Sequence, residues 1–226
     1  MVNDLTLQPA QVNAVSKYST PEVLADVLTA SDYIPYIQLV GASSNLAKAG
    51  NFQIGHFGLF RGKEPIDLGD SFTTVVLSWR PRAMEFGEDV ISIFNPENPE
   101  FIRIKTAAQN NQQGYVFGPE YLMYLPDFDE LAVYLYGNTS SQLEAPNVQA
   151  VLEKQNQVNE YQPITIYSEL VENRKRQSWH VPCSKPSETP LEKMVNPDVL
   201  KPVLEKFNNP TDSEVETVES GEERPM

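Results

Sequence analysis

One cysteine and two histidines are the only thiol and imidazole side chains in 226 residues. The single Cys183 excludes an internal disulfide framework and fits a reducing, cytoplasmic setting. His56 and His180 lie 124 positions apart. His180-Val181-Pro182-Cys183 offers two soft ligands, but no second pair completes a four-coordinate zinc site. No apolar run approaches the roughly 18 residues of a membrane span. The opening "MVNDLTLQPAQVNAVSKYST" lacks the basic start and apolar stretch of a secretory signal. Without export, Asn138-Thr139-Ser140 reads as a chance glycosylation match. Gly50, Gly55, Gly58 and Gly62 do not lead into Gly-Lys-Ser/Thr, so there is no phosphate loop. Cys183 has no catalytic signature around it. Asp127 and Asp129 flank Phe128 and could join a metal site, although a solvated hairpin turn is the simpler reading. The expectation is therefore no cofactor, no metal and no catalytic centre. A carboxylate-only enzyme, such as a metal-dependent nuclease, is the third-ranked alternative.

Positive charge is also scarce. The net charge is −14, and residues 211–226, "TDSEVETVESGEERPM", contribute −5, which leaves −9 on the rest. Such a chain cannot wrap a polyanion wholesale, so a nucleic-acid site would have to be a local patch. What is abundant is apolar and aromatic: 40% of residues are hydrophobic, including ten Phe and ten Tyr. That supports a packed globular body.

Residues 1–32 read as an N-terminal arm, in which Thr20-Pro21-Glu22 opens a short helical pattern with Val23, Leu24, Val27 and Leu28. Residues 33–185 read as a β-rich globular domain. "YIPYIQLVGASS" is a short apolar run, "NFQIGHFGLF" a strand interrupted by glycine, and "RGKEPIDLGD" a turn region. "SFTTVVLSWR" is the clearest strand, and "DVISIFN" a short one. "YLMYLPDFDELAVYLYGN" gives two strands joined at Pro126–Asp129, and "PITIYSEL" and "SWHVP" a later pair. "APNVQAVLEKQNQ" is a helix with Val148, Val151 and Leu152 on one face. Strands joined to strands by short turns favour an antiparallel OB-like barrel or sandwich within a mainly β, α+β class. Residues 186–210 are punctuated by proline and carry a short helix near 197–208. Residues 211–226 hold too little apolar surface to offset their ordering entropy and are expected to be a disordered acidic tail.

Within the β-rich part, cations recur two residues apart: Arg61 and Lys63, Arg80 and Arg82, Arg103 and Lys105. On a strand, such pairs project to one face. By alternation, Val75, Leu77 and Trp79 share the core face of "SFTTVVLSWR", while Arg80 lies on the other. If the three segments are neighbours in one sheet, Phe57, Arg61, Lys63, Arg80, Arg82, Phe101, Arg103 and Lys105 line a mixed surface. Rings among cations suit single-stranded nucleic acid, with bases stacking for about 1–3 kcal/mol each. Pro81 would end its strand or mark an edge, at the rim where OB-type barrels hold ligands. Arg174-Lys175-Arg176 on a hairpin loop adds three more cations. Two rival readings stand beside this one. The doublets could merely solvate strand ends and pair with nearby acids such as Glu64, Asp67, Asp70, Glu85 and Glu88. Residues 99–109 could start a helix capped by Asn98 with Pro99 first, which would break the alternation of "FIRIK".

A β-rich body followed by an acidic tail resembles single-stranded DNA-binding proteins of tailed bacteriophages. "YIPYIQLVGASSNLAKAGNFQIGHFGLF" and "LGDSFTTVVLSWRPRAMEF" also resemble a set of tailed-phage proteins of this size. The resemblance implies an OB-like fold, a role in a phage replication module and residence in the host cytoplasm. It carries no site residues. The chain ends Glu-Arg-Pro-Met and lacks the terminal aromatic of many such tails. The expected partners are single-stranded DNA, with RNA as the other candidate, and replication or host proteins met by residues 211–226. No membrane is expected, and self-association is left open. The tail would compete with nucleic acid at high effective concentration, or only keep the chain soluble. The alternative function is a phage-encoded protein-interaction factor, acting on a host enzyme or in the virion, that binds no nucleic acid.

Overall fold

The computed structural model describes residues 34–61, 65–87, 90–137, 139–158, 160–189, 191 and 197–210. The N-terminal arm with its helical pattern, Lys63, Asn138 and the acidic tail lie outside the described residues. The fold is mainly β, of the α+β class. Nine strands form one open sheet in the order β3-β2-β1-β7-β6-β4-β8-β9, with β5 also paired to β4.

In chain order the elements are β1 (Tyr36–Leu39), α1 (Asn45–Lys48), β2 (Phe57–Phe60), β3 (Ile66–Gly69), β4 (Ser71–Phe86), β5 (Val90–Ile93), α2 (Pro99–Gln109), β6 (Tyr115–Leu125) and β7 (Glu130–Leu135). There follow α3 (Thr139–Gln142), α4 (Ala145–Val158), β8 (Ile164–Glu172), β9 (Ser178–Pro186) and α5 (Pro197–Asn208). Nearly all pairs are antiparallel; β1 runs parallel to β7. No helix of the described residues is long and apolar enough to cross a membrane.

The strand expected over 51–60 shortens to 57–60. Gly50 and Gly55 take φ of +75° and +89°, conformations that break a strand and suit glycine alone. The region expected as turn holds β3, which pairs with β2. β4 is sixteen residues long and runs through Pro81. Pro81 faces Pro119 in the ladder with β6. The carbonyl of Pro119 accepts from Tyr136 N on the β7 side at 2.9 Å, so its nitrogen also faces away from β4. Neither proline is asked for a hydrogen bond across this pair, and the strand continues.

Two cores lie on opposite faces of the sheet. On the first face, Phe57, Leu59, Val76, Tyr121, Met123 and Tyr134 pack with Val148 and Leu152 of α4. On the second, Val75, Leu77, Leu122, Tyr124 and Val133 pack with Leu200 and Phe207 of α5. A smaller cluster joins Ala83 to Phe101 and Ile104 of α2.

Candidate nucleic-acid interface

The alternation expected along β4 fails at one residue. Val76 faces Met123 and Ser78 faces Leu122, which leaves Leu77 as a bulge without a partner. One extra residue exchanges the faces beyond it. Trp79 therefore points to the first core with Val76, not with Val75 and Leu77. Arg80 and Arg82 lie on the second face, the one covered by α5.

Arg61 ends up on the other side. It continues the alternation of Phe57 and Leu59 and bonds Glu130 at 3.0 Å. Burial, opposed by Arg61, raises the Glu130 carboxyl above its ordinary range. Arg103 and Lys105 are not on a strand at all. They ride on α2, whose cap Asn98 accepts from Glu100 N at 2.9 Å, with Pro99 in the first turn. Arg103 bonds Glu100 at 2.8 Å and also Glu85. The bond to Arg103 holds the Glu85 carboxyl below its ordinary range despite partial burial. Lys105 sits 5.1 Å over the ring of Phe117. Phe57 is 0% and Phe101 3% exposed, so neither offers a stacking platform.

The expected surface is thus corrected: the described doublet residues divide between two faces, and four of them bond neighbouring carboxylates. The helix reading holds for 99–109, and the four arginines are ion-paired, but among the described residues only Glu85 of the acids expected as partners is one; the others are Glu100, Glu120 and Glu130. A β period requires pairing partners, and residues 99–109 have none; proline and an Asn cap start a helix there instead.

Arg80 and Arg82 form the most elaborate of these contacts. Glu120, opposite Arg80 in the ladder, is 0% exposed. It accepts from Arg80 Nε at 2.6 Å and from Arg82 Nη1 at 2.5 Å. Burial alone would raise its carboxyl, but the charges of Arg82 and then Arg80 outweigh burial and hold it below the ordinary range. Arg82 also donates to Ser92 Oγ, at 2.9 Å from Nη2. The Arg80 guanidinium lies between two rings, 3.9 Å from the Phe94 centroid and 4.2 Å from that of Phe207. Glu120, Phe94 and Phe207 play no part in the sequence reading. Only Glu120 carries a local signal that could have found it, as an acid within the otherwise uncharged strand "YVFGPEYLMYL".

The hairpin of β8 and β9 is different. β8 pairs with β4 only over Ile164–Tyr167, after which the two strands extend as a ribbon of their own. The turn is held by Asn173: its side-chain oxygen accepts from Lys175 N at 2.8 Å and Gln177 N at 3.1 Å. Arg176 takes the left-handed conformation, φ +60°, that closes such a loop. Arg174, Lys175 and Arg176 are all exposed, and among the described residues none is in an ion pair. Behind them, Trp179 is 39% and Leu170 62% exposed. On the face it shares with Leu170, opposite Trp179, His180 meets Ser168 Oγ at 2.7 Å and packs on Gly55, where a Cβ would lie 2.4 Å from the imidazole.

Among the described residues no three His, Cys, Asp or Glu side chains gather as a metal site. Burial, with the bond to Glu169, pushes the Cys183 thiol up to about 11, the wrong direction for a nucleophile. Asp129 accepts from Tyr124 at 2.7 Å within the β6–β7 turn. A pocket of about 240 Å³ beside Tyr115 is lined by the amides of Gln109, Asn111, Gln112 and Gln142 and by no carboxylate or histidine.

No protein-family model, no curated protein and no solved structure matches the chain.

Proposed function

We propose that the protein is a non-enzymatic, OB-like single-stranded nucleic-acid-binding protein that engages its ligand first through the β8–β9 ribbon. The three basic doublets do not form the shared surface expected of them and do not carry this reading. The observation that carries it is the triplet Arg174, Lys175 and Arg176, exposed and, among the described residues, outside ion pairs, on a chain of net charge −14, with Trp179 behind it. Topology supports it. In chain order β4, β6, β7 and β8 lie side by side as 4-1-2-3, the order of a Greek key. The first of these strands is long and shared by three ladders, with β5, β6 and β8; a helix precedes the fourth, and a fifth pairs with the fourth. OB barrels are Greek keys that hold oligonucleotides on the strand 2–3 face and on the 1–2 and 4–5 loops. The basic tip is the 4–5 loop of that scheme. Cations there would track phosphates while Trp179 stacks on a base. A place in a phage replication module belongs to the same proposal and rests on the resemblance of the two sequence segments.

Fluorescence anisotropy with a labelled oligothymidine at low salt tests it. Three phosphate contacts at about 0.7 counterion each predict a log–log salt slope of about −2. The R174A/K175A/R176A variant should lose about tenfold in affinity, 1.4 kcal/mol, or more. No binding by the parent at low salt, or unchanged binding by the triple variant, refutes the proposal. The exposure of Leu170 favours the second reading, a protein-interaction factor. That reading predicts a partner retained after nuclease treatment and lost in L170D.

A further inference from the structure

We propose that the notch formed by Arg80 and Phe94 beneath α5 is a nucleotide subsite, and that Phe207 occupies it in the free protein. The inference rests on the nucleic-acid reading above and extends it to the face that α5 covers. Three contacts of Arg80 define the notch. The Arg80 guanidinium lies over two rings, Phe94 at 3.9 Å and Phe207 at 4.2 Å. The same side chain donates from Nη1 to the backbone carbonyl of Phe207 at 3.2 Å. The last turn of α5 therefore presents to Arg80 an aromatic plane and an oxygen acceptor. A nucleotide presents the same two groups, as its base and as a phosphate or sugar oxygen.

The position agrees with the chemistry. Arg80 faces Glu120 of β6 on the surface that, in the Greek-key order, is the strand 2–3 face. A strand held at the β8–β9 tip and passing over this face would run beneath α5. Glu120 and Ser92 hold Arg80 and Arg82 from below, so Arg80 keeps its place when its upper ring partner changes.

The cover is also built from a separable piece. α5 is a twelve-residue helix with Pro202 inside it, which removes one helical hydrogen bond. Its last residue, Asn208, accepts from Ser78 Oγ at 2.6 Å. Leu200 and Phe207 are both 0% exposed, so α5 is well seated and the subsite is closed at rest. Nucleic acid that stacks on Arg80 must displace Phe207, and the measured affinity is reduced by the fraction of molecules in the closed state.

The test uses the full chain carrying C183S, S78C and N208C, with the two new thiols either free or joined by a disulfide or a short bis-maleimide. The free-thiol protein is its own folding control. Binding of a long labelled oligothymidine at low salt should be at least about tenfold weaker in the joined form, and reduction of the disulfide should restore it. F207A should bind several-fold more tightly than the parent; its fold is checked by circular dichroism. Equal binding by joined and free forms overturns the subsite while leaving binding at the ribbon intact. No binding by any form overturns the nucleic-acid reading and this inference with it.

Discussion

Replacing Glu120 by glutamine tests the central electrostatic feature of the sheet. Its carboxylate is fully buried and takes charged hydrogen bonds of 2.6 and 2.5 Å from Arg80 and Arg82. A glutamine amide keeps the shape, but it removes the negative charge and turns an N–H₂ toward one guanidinium. Breaking a buried ion pair from one side costs about 3–5 kcal/mol, because the partner charge stays buried without compensation. For a domain of this size each kcal/mol moves the melting midpoint by about 2–4 °C, so E120Q should melt about 6–20 °C below the parent. Thermal and urea denaturation followed by circular dichroism measure this. The pH dependence has a definite sign. The folded-state carboxyl lies below its unfolded value of about 4.3. Its stabilisation is therefore complete above that value and is lost as pH falls through the folded pKa. The gap between parent and E120Q should be constant from pH 5 to 7 and narrow in stronger acid. A gap under about 1 kcal/mol at pH 7, or one that widens on acidification, would refute the assignment of Glu120 as the counter-charge of both arginines.

Two further outcomes follow from burial and from the sheet edge. Phe57 packs edge-on against Phe72 at 5.1 Å and Tyr134 at 6.1 Å; F57A should cost about 3–5 kcal/mol in urea titration while leaving oligonucleotide affinity unchanged at temperatures where the variant is folded. Along β9, Ser187 N donates to Pro163 O, so the even-numbered residues turn their nitrogens outward. Pro182 and Pro186 have no N–H to offer, and Ser184 N is bonded to Glu144 at 2.8 Å. E144A should therefore destabilise by about 1–3 kcal/mol and increase self-association in light scattering, since it reopens a guarded edge; an unchanged scattering profile would rule out the guarding role.

Much of the architecture was legible in local sequence. The helices over 145–158 and 197–208 follow from apolar spacing. The β6–β7 and β8–β9 pairs follow from β-branched and aromatic runs broken at Pro126–Asp129 and at Arg174–Arg176. Both signals arise within a few residues, where backbone preference and side-chain period act directly. The basic hairpin tip was legible for the same reason. The face to which Arg80 and Arg82 point was not. A single unpaired residue, Leu77, reverses every side chain after it, and no composition rule marks a bulge.

The sequence by itself determined a mainly β chain with an acidic balance and a cationic hairpin loop, because those properties belong to residues and their near neighbours. Only the tertiary structure decided which cations remain available. Arg61, Arg80, Arg82 and Arg103 meet Glu130, Glu120 and Glu85 from 18 to 69 positions away, and only the packing of strands and of α2 onto the sheet sets which acid faces which arginine.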